Sequence, residues 1–307
     1  MAVQSHFFGV GSIVSWAEAG VGAVATQSVV EPAYGPRGLA LMREGKSAPA
    51  ALQQLLGDDP QEPVRQVAMI DRAGRVAVHT GSRCIQDAGH AVGDQVSAQA
   101  NIMERDTVPA VMVRAYSESS GQNLAERLLA ALEAAEREGG DLRGRQSAAM
   151  VVVAARATGN PMEDRPVDLR VEDHANPVGE LRRLVAMRRA YGRADAGDQL
   201  AAAGELDAAL AEYEAAHRSQ PDNHELAFWH GVALAASGRE DEGAAMLRQA
   251  FDAHAGWVEL LKRLPAAGLF PDDGELIARL AGTRAVSEPA EAEPPAGIPA
   301  SPRPPAS

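Results

Sequence analysis

The order of strand-like and helix-like segments is the feature that most constrains the fold of this chain. Apolar runs at residues 66–71 and 75–80 flank Arg72-Ala73-Gly74, a spacing that predicts a β-hairpin. Strands that group together, with helices outside the groups, predict an α+β fold with antiparallel sheets and not an alternating βαβ fold. Helices are further predicted at 35–43, 47–56, 107–118, 123–138 and 177–191, and strands at 23–27, 92–99, 148–155 and 167–171.

Beyond Tyr191 the sequence becomes alanine-rich and helical, and two segments match at a period of 34 residues. The period, with Pro221-Asp222-Asn223 between the segments, resembles the tetratricopeptide repeat. Two such units leave an apolar face uncovered, so we expect residues 257–264 to cap the array, or the array to dock on the first domain. The aligned pairs are Gly204 with Gly238, Ala209 with Gly243, Leu210 with Ala244, Tyr213 with Leu247 and Ala216 with Ala250.

These changes in sequence character divide the chain into three predicted parts. Residues 1–191 form the α+β domain, and residues 192–282 form the helical region. Residues 283–307 are rich in Pro, Ala and Glu, with little to bury, and we expect them to be disordered.

Composition excludes several classes of partner and cofactor. The chain has 29 Lys and Arg against 42 Asp and Glu, and its basic residues form no cluster, so neither nucleic acid nor a membrane surface is expected as a partner. The single cysteine, Cys84, excludes an internal disulfide. The single cysteine and the lack of a signal-like or membrane-spanning segment together indicate a cytoplasmic protein. No zinc, EF-hand or phosphate-loop spacing is present, so no metal and no cofactor are predicted.

A polar, glycine-flanked loop precedes an apolar run at residues 148–153. The loop runs Gly140-Asp141-Leu142-Arg143-Gly144-Arg145-Gln146-Ser147, and such a pattern is typical of a turn that leads into a buried strand. Its polar side chains are therefore expected at the edge of the core. A solvated charged turn is the alternative, because most loops carry no site.

The sequence contains six separate motifs, at Ser15–Gln27, Tyr34–Gly38, Gly81–Cys84, Gln99–Asn101, Asp141–Ser147 and Val167–His174. Together they resemble the bacterial family known as domain of unknown function 1028. They cover about residues 1–190, which is more specific than one short pattern. The resemblance implies a fold like that of the N-terminal-nucleophile hydrolases, a four-layer αββα sandwich, followed here by the helical extension.

In N-terminal-nucleophile hydrolases, a terminal Thr, Ser or Cys attacks an amide carbonyl and its own α-amine serves as the base. This sequence departs from the pattern, because it opens inside what the resemblance makes the second strand, and loss of Met1 would expose Ala2. Three explanations stay open: an upstream start, the absence of the attacking group, or use of the fold without that chemistry.

Five residues are candidates for the site that the resemblance implies. Thr26 and Asn101 are the catalytic candidates: Thr26 to orient a carbonyl or amide and Asn101 to donate to an oxyanion. Gln27, Asp141 and Arg145 are the substrate-binding candidates, Arg145 through a substrate carboxylate. The alternatives are a strand-end hydroxyl for Thr26, a turn asparagine for Asn101, and an ion pair of Arg145 with Asp141 or Asp168.

Two functions of different classes follow. The first is an amidohydrolase-like activity on a small amide or peptide-like substrate, with the nucleophile upstream of Met1. The second is a non-catalytic binding or scaffold protein whose helical repeats bind a protein partner or, as the family's extension is sometimes labelled, peptidoglycan. Whether the chain forms a homo-oligomer is left open.

Overall fold

A computed structural model describes residues 1–282 and divides the chain into two compact units, Met1–Arg189 and the residues from Ala190 onwards. The predicted disordered segment, 283–307, lies outside the described residues. Within residues 1–282, no helix combines the length and the apolar character that crossing a bilayer requires.

The larger sheet of the first unit has four antiparallel strands in the order β2-β3-β4-β5. The predicted hairpin is confirmed, since β4 pairs with β5 around the turn at residues 72–75. The strands are β2 (Ser15–Glu18), β3 (Gly22–Ser28), β4 (Arg65–Asp71) and β5 (Val76–Thr80). The antiparallel pairing and the separate helices confirm the α+β class.

The second sheet joins three strands in the order β1-β8-β9, all antiparallel. Its strands are β1 (Ala2–Ser5), β8 (Ser147–Val152) and β9 (Val167–Val171).

Residues 92–99 are not one strand, contrary to the prediction. They belong to a hairpin of β6 (Gly89–Gly93) and β7 (Val96–Ala100). The chain reverses at Asp94-Gln95, where Gln95 has a φ of +53°. The prediction was wrong because no glycine marks the left-handed position of this two-residue turn.

The five predicted helices of the first unit begin close to their predicted positions, whereas the short helices at 11–14 and 161–164 were not predicted. Ser47 caps α3, because its hydroxyl accepts a hydrogen bond from the N–H of Ala50. The seventh helix extends well beyond the predicted end at Tyr191. The bounds are α1 (Gly11–Val14), α2 (Tyr34–Arg43), α3 (Ala48–Gly57), α4 (Val108–Glu118), α5 (Leu124–Arg137), α6 (Pro161–Asp164) and α7 (Pro177–Ala202).

Each sheet has one face covered by helices. Leu39 of α2 and Leu52 of α3 are buried in one cluster with Met69 of β4. On the other sheet, Met150 of β8 is buried with Leu129 of α5, and α7 contributes to the same cluster. These two apolar cores position β1, β3 and β4, which carry part of the site described below.

A third, smaller core holds side chains from both sheets. Ala25 and Ala68 of the larger sheet are buried with Val10 and Val14, and Val3 of β1 packs against them. The face of each sheet that the helices leave uncovered therefore contributes to a common apolar cluster.

Two glycines of α2 allow the helix to approach the sheet closely. A Cβ built on Gly35 would lie 2.2 Å from the ring of Trp16, and one on Gly38 would lie 2.8 Å from the terminal methyl of Met69. Close backbone approach of this kind favours glycine, and it explains the Tyr34–Gly38 pattern in packing terms.

The described part of the second unit is helical. Phe228, Leu247, Leu261 and Leu276 form its main core, and they come from four successive helices. Those helices are α9 (His224–Ala236), α10 (Glu240–Ala253), α11 (Gly256–Arg263) and α12 (Gly274–Ala281), preceded by α8 (Leu206–Ser219).

The 34-residue match has a structural counterpart in this unit. Gly204 and Gly238, which align, both have left-handed backbones with φ of +83° and +87°, just before α8 and α10. The aligned alanines Ala216 and Ala250 are both buried. The pattern therefore repeats a glycine-ended turn followed by a helix with the same buried face.

Candidate functional site

A cavity of about 210 Å³ lies within the first unit, among β1, the C-terminal ends of β3 and β7, and the loops at 101–103 and 140–143. Of the five candidates from the sequence, Gln27, Asn101 and Asp141 line it. Thr26 does not: its side chain is fully buried and its hydroxyl donates to the carbonyl of Glu31 at 3.1 Å. Thr26 therefore has the backbone-bonded role that the sequence left as its alternative.

Gln66 of β4 is the centre of a carboxamide cluster beside the cavity, and it is fully buried. Its Nε2 lies 2.9 Å from the carbonyl oxygen of Ala100, 3.1 Å from that of Gly89 and 3.0 Å from the hydroxyl of Thr80. Backbone carbonyls can only accept hydrogen bonds, so the –NH₂ group must be on this side. The orientation of the Gln66 carboxamide is therefore fixed by the backbone.

The orientation of Gln66 fixes the orientations of Gln27 and Asn101. The Gln66 Oε1 faces both neighbours, and it accepts from Gln27 Nε2 at 2.7 Å and from Asn101 Nδ2 at 3.0 Å. Gln27 Nε2 also donates to the carbonyl of Gln99 at 3.3 Å, which uses both of its N–H groups.

The carboxamide cluster leaves three hydrogen-bonding groups without a partner among residues 1–282. They are the Oε1 of Gln27, the Oδ1 of Asn101 and the second N–H of Asn101. A carboxamide or peptide group offers one N–H and one C=O, so this set of acceptors and one donor is complementary to an amide ligand.

Two residues with left-handed backbones flank the cluster. Ser28, next to Gln27, has a φ of +70°, and Ile102, next to Asn101, has a φ of +59°; both line the cavity. A β-branched residue in this region is a genuine outlier. Backbone strain of this kind is held in place by surrounding structure and gathers at functional sites.

The loop at 140–142 provides the surrounding structure that holds Ile102. Leu142 N–H donates to the carbonyl of Ile102 at 2.9 Å, and Glu104 N–H donates to that of Gly140 at 3.0 Å. Met103 and Asp141 form an isolated antiparallel bridge between these bonds. The two loops that line the cavity therefore support one another.

Replacing Ile102 by glycine and by alanine separates backbone strain from side-chain packing. Both variants lose the packing of the isoleucine side chain, but glycine adopts the positive φ of this position without the steric cost that alanine has. The glycine variant is therefore expected to be more stable than the alanine variant by about 1 kcal/mol. Exposed Ile85 lacks a positive φ and is the control position. There the alanine variant should be more stable than the glycine variant, because glycine only adds conformational freedom to the unfolded chain. Urea unfolding of the four variants measures both orders, and an alanine advantage at Ile102 would contradict the strain.

Both carboxylate oxygens of Asp141 accept hydrogen bonds from Arg143, so neither oxygen is free to bind a ligand in the cavity. Its side chain is 2% exposed and pairs with Arg143, whose Nε and Nη2 lie 3.0 and 2.8 Å from its oxygens. The backbone N–H groups of Arg143 and His6 also donate to it. Burial raises the pKa of Asp141, but these hydrogen bonds outweigh burial and hold the pKa below its usual value.

Arg143, which the sequence reasoning did not select, lines the cavity. Its Nη2 also lies 3.4 Å from the Ser5 hydroxyl, while its Nη1 has no partner among the described residues. Arg145, the arginine that was selected, pairs instead with Glu136 and is not among the cavity-lining residues. Burial raises the pKa of Glu136, and Arg145 opposes that rise.

Gln66 was also missed from the sequence. Its one signal was a polar residue at the start of the apolar run of β4, and a polar residue in a buried strand needs partners. The spacing of Arg143 and Arg145 gave no way to choose between them.

Cys84, His79 and His90 each hydrogen-bond to a different partner, and none of these bonds joins the thiol to an imidazole. Cys84 Sγ donates to the carbonyl of Arg65, His79 bonds to Glu62, and His90 bonds to Thr80. Within residues 1–282, no group of three His, Cys, Asp or Glu side chains is placed to hold a metal ion.

Comparisons with known proteins identify the family of the first unit. A model of the family of unknown function DUF1028 matches residues 1–181. The crystal structure of a Silicibacter pomeroyi protein assigned to DUF1028 is similar to this chain, with a TM-score of 0.54 and 30% sequence identity. The similarity covers 60% of this chain and 77% of that one. No curated protein matches the chain. Because the family match covers more than half of the 307 residues, the chain belongs to the family of unknown function DUF1028.

Proposed function

We propose that the first unit hydrolyses a small amide bound in the cavity between Gln27, Asn101 and Arg143. In this reaction water adds across the amide, the C–N bond breaks, and a carboxylate and an amine leave. The observation that carries the proposal is the carboxamide cluster, in which backbone carbonyls fix Gln66 and Gln66 fixes the two side chains that line the cavity.

Within this proposal each side chain has a distinct role. The free N–H of Asn101 donates to the substrate carbonyl and to the oxyanion that forms from it, and the Oε1 of Gln27 accepts the substrate N–H. Donors fixed before the reaction cost no reorganisation when charge develops. The strained backbones of Ser28 and Ile102 hold both groups in place.

Packing of the first unit supports the proposal by analogy. Helices α2 and α3 cover one sheet, α5 and α7 cover the other, and a third core lies on the remaining faces. We interpret this order as the four-layer αββα sandwich of N-terminal-nucleophile hydrolases. Such a fold hosts amide hydrolysis, and the inference from fold to activity is an analogy.

The cavity also has hydroxyls of its own, at Ser5, Ser28 and Ser97. Among the described residues, no imidazole or carboxylate hydrogen-bonds to any of them, so none has the base that an attacking serine requires. The attacking group of the proposed reaction is therefore none of these three serines. In N-terminal-nucleophile hydrolases it is the hydroxyl or thiol of a terminal residue, and Met1 and Ala2 carry neither group.

A panel of small amides, with released ammonia or amine as the readout, tests the proposal. Removing an oxyanion donor costs about 10²-fold or more in rate, so Asn101→Ala should lower turnover by that factor. Asn160→Ala, at an exposed asparagine outside the cavity, is the matched control and should leave turnover unchanged. Equal turnover by the wild type and Asn101→Ala, or none on any amide, would contradict the proposal.

A second candidate function belongs to the helical unit. The repeated glycine turns at Gly204 and Gly238 and the repeated buried positions favour a tetratricopeptide-like array, and such arrays present surfaces to protein partners. Under this alternative, substitutions on exposed positions of α8 and α10 abolish capture of a partner. Cavity variants leave that capture intact.

A further inference from the structure

We infer that the substrate of the proposed hydrolysis carries a carboxylate in addition to its amide, and that Arg143 binds this carboxylate. The inference rests on the proposed function, because it concerns the substrate of the same cavity. It names the substrate class as small N-acyl amino acids and similar amide acids, and it makes Arg143 the residue that determines specificity.

The first argument is the way Arg143 is held. Asp141 is almost fully buried and binds the Nε and Nη2 edge of the guanidinium, and Ser5 lies beside the same Nη2. This leaves the two N–H groups of Nη1, on a side chain that is 41% exposed and lines the cavity. A guanidinium already fixed on one edge loses little entropy when its other edge binds a carboxylate.

The second argument is an unpaired donor on β1. The Nε2 of Gln4 is buried, lies in a side chain that lines the same cavity, and has no hydrogen-bond partner among the described residues. A buried donor without a partner is costly. A ligand oxygen in the cavity within hydrogen-bond distance of Gln4 would satisfy it.

The third argument is the balance of charges around the cavity. Asp141 and Arg143 are the charged side chains among its lining residues, and the carboxylate of Asp141 already accepts four hydrogen bonds. Its charge is therefore compensated. The unpaired groups are donors at Gln4 and Arg143 and mainly acceptors at Gln27 and Asn101, so a ligand that carries both oxygens and an N–H would match them.

Cavity size limits the ligand. A volume of about 210 Å³ is below the roughly 300–1,000 Å³ of pockets that take drug-sized ligands. This accommodates an amide and a carboxylate joined by a short linker, and N-acetylglycine is the simplest probe of this kind. N-Acetylglycinamide has the same size and shape but no charge.

The test measures the dissociation constants of both probes by NMR titration of the full-length protein. Charge-assisted bonds are about twice as strong as neutral ones, and each tenfold step in affinity is 1.4 kcal/mol. The wild type should therefore bind N-acetylglycine about tenfold more tightly than N-acetylglycinamide. Arg143→Gln should bring this ratio close to one, and Arg143→Lys should give an intermediate ratio.

Two other arginines provide the controls. Arg145→Gln alters the neighbouring arginine of the same loop, which pairs with Glu136, and Arg37→Gln removes an exposed ion pair with Asp58. Both should keep the wild-type ratio. A ratio near one in the wild type, a wild-type ratio in Arg143→Gln, or its loss only in Arg145→Gln would overturn the inference.

Product analysis of the same samples separates this inference from the proposed function. A preference for N-acetylglycine that depends on Arg143, without release of an amine or ammonia from either probe or from any amide of the panel, supports the carboxylate site and contradicts hydrolysis. Hydrolysis of both probes at equal rates and affinities supports the proposed function and contradicts the carboxylate site.

Discussion

Replacing Gln66 with leucine is expected to destabilise the first unit by about 3 kcal/mol, because several polar groups lose one common partner. Leucine fills a similar volume but cannot donate to the carbonyls of Gly89 and Ala100, nor accept from Gln27 and Asn101. Each buried polar group left without a partner costs about 1–3 kcal/mol. The substitution should also release Gln27 and Asn101, so amide binding should be lost with stability.

Hydrogen exchange over β3 and β4, followed by mass spectrometry, measures the effect of Gln66→Leu locally. The control is Gln53→Leu, because Gln53 lies exposed on α3 and exposed substitutions usually change stability by less than about 0.5 kcal/mol. Wild-type protection of β3 and β4 in Gln66→Leu would show that the carboxamide cluster does not hold these strands.

The second large effect is expected for Asp141→Asn. The carboxylate accepts from the backbone N–H groups of His6 and Arg143 and from the guanidinium of Arg143, and asparagine offers one oxygen and an –NH₂ group instead. At least two donors therefore lose their acceptor, and Arg143 loses its counter-charge. The expected destabilisation at pH 7 is about 2–4 kcal/mol, accompanied by loss of the N-acetylglycine preference.

The pH dependence of this difference follows from the lowered pKa of Asp141. A depressed folded pKa means that the unfolded chain binds the proton first as pH falls, so the stabilisation is complete above the ordinary carboxyl pKa of about 4. It is lost as pH falls through the folded value. Urea unfolding at pH 7 and at about pH 3 should therefore show a large gap between wild type and Asp141→Asn that narrows in acid.

Asp58→Asn is the matched control for the carboxylate prediction. Asp58 is 55% exposed and pairs with Arg37 on the surface, where ion pairs contribute about 0–1 kcal/mol. Its effect should be small at both pH values. A gap for Asp141→Asn that is small at pH 7, or that widens in acid, would contradict the role assigned to Asp141.

Hydrophobic periodicity accounts for the parts of the fold that the sequence predicted well. The hairpin at Arg65–Asp71 and Val76–Thr80 and the helices Val108–Glu118 and Leu124–Arg137 each combine a clear apolar period with a local end signal. The β6–β7 hairpin was missed because Gln95 occupies a backbone region where glycine is the usual signal. Local signals thus failed where a non-glycine residue adopts a strained conformation.

The site was less predictable than the fold because its residues meet only in three dimensions. Gln27 and Asn101 came from the family motifs, but the reason for their orientation lies in Gln66. These two partners lie 39 and 35 residues from Gln66 in the sequence. Arg143 and Arg145 look equivalent in the loop sequence. The structure distinguishes them because only Arg143 lies beside Asp141 and the cavity.

The most direct test of the cavity as the ligand site is an NMR titration of the full-length protein with N-acetylglycine, observing side-chain –NH₂ resonances. Gln27 and Asn101 should shift in a saturable manner. Exposed Gln53 and Asn160 should not shift. If the resonances of Gln27 and Asn101 stay unchanged while N-acetylglycine binds elsewhere on the protein, the cavity is not the substrate site.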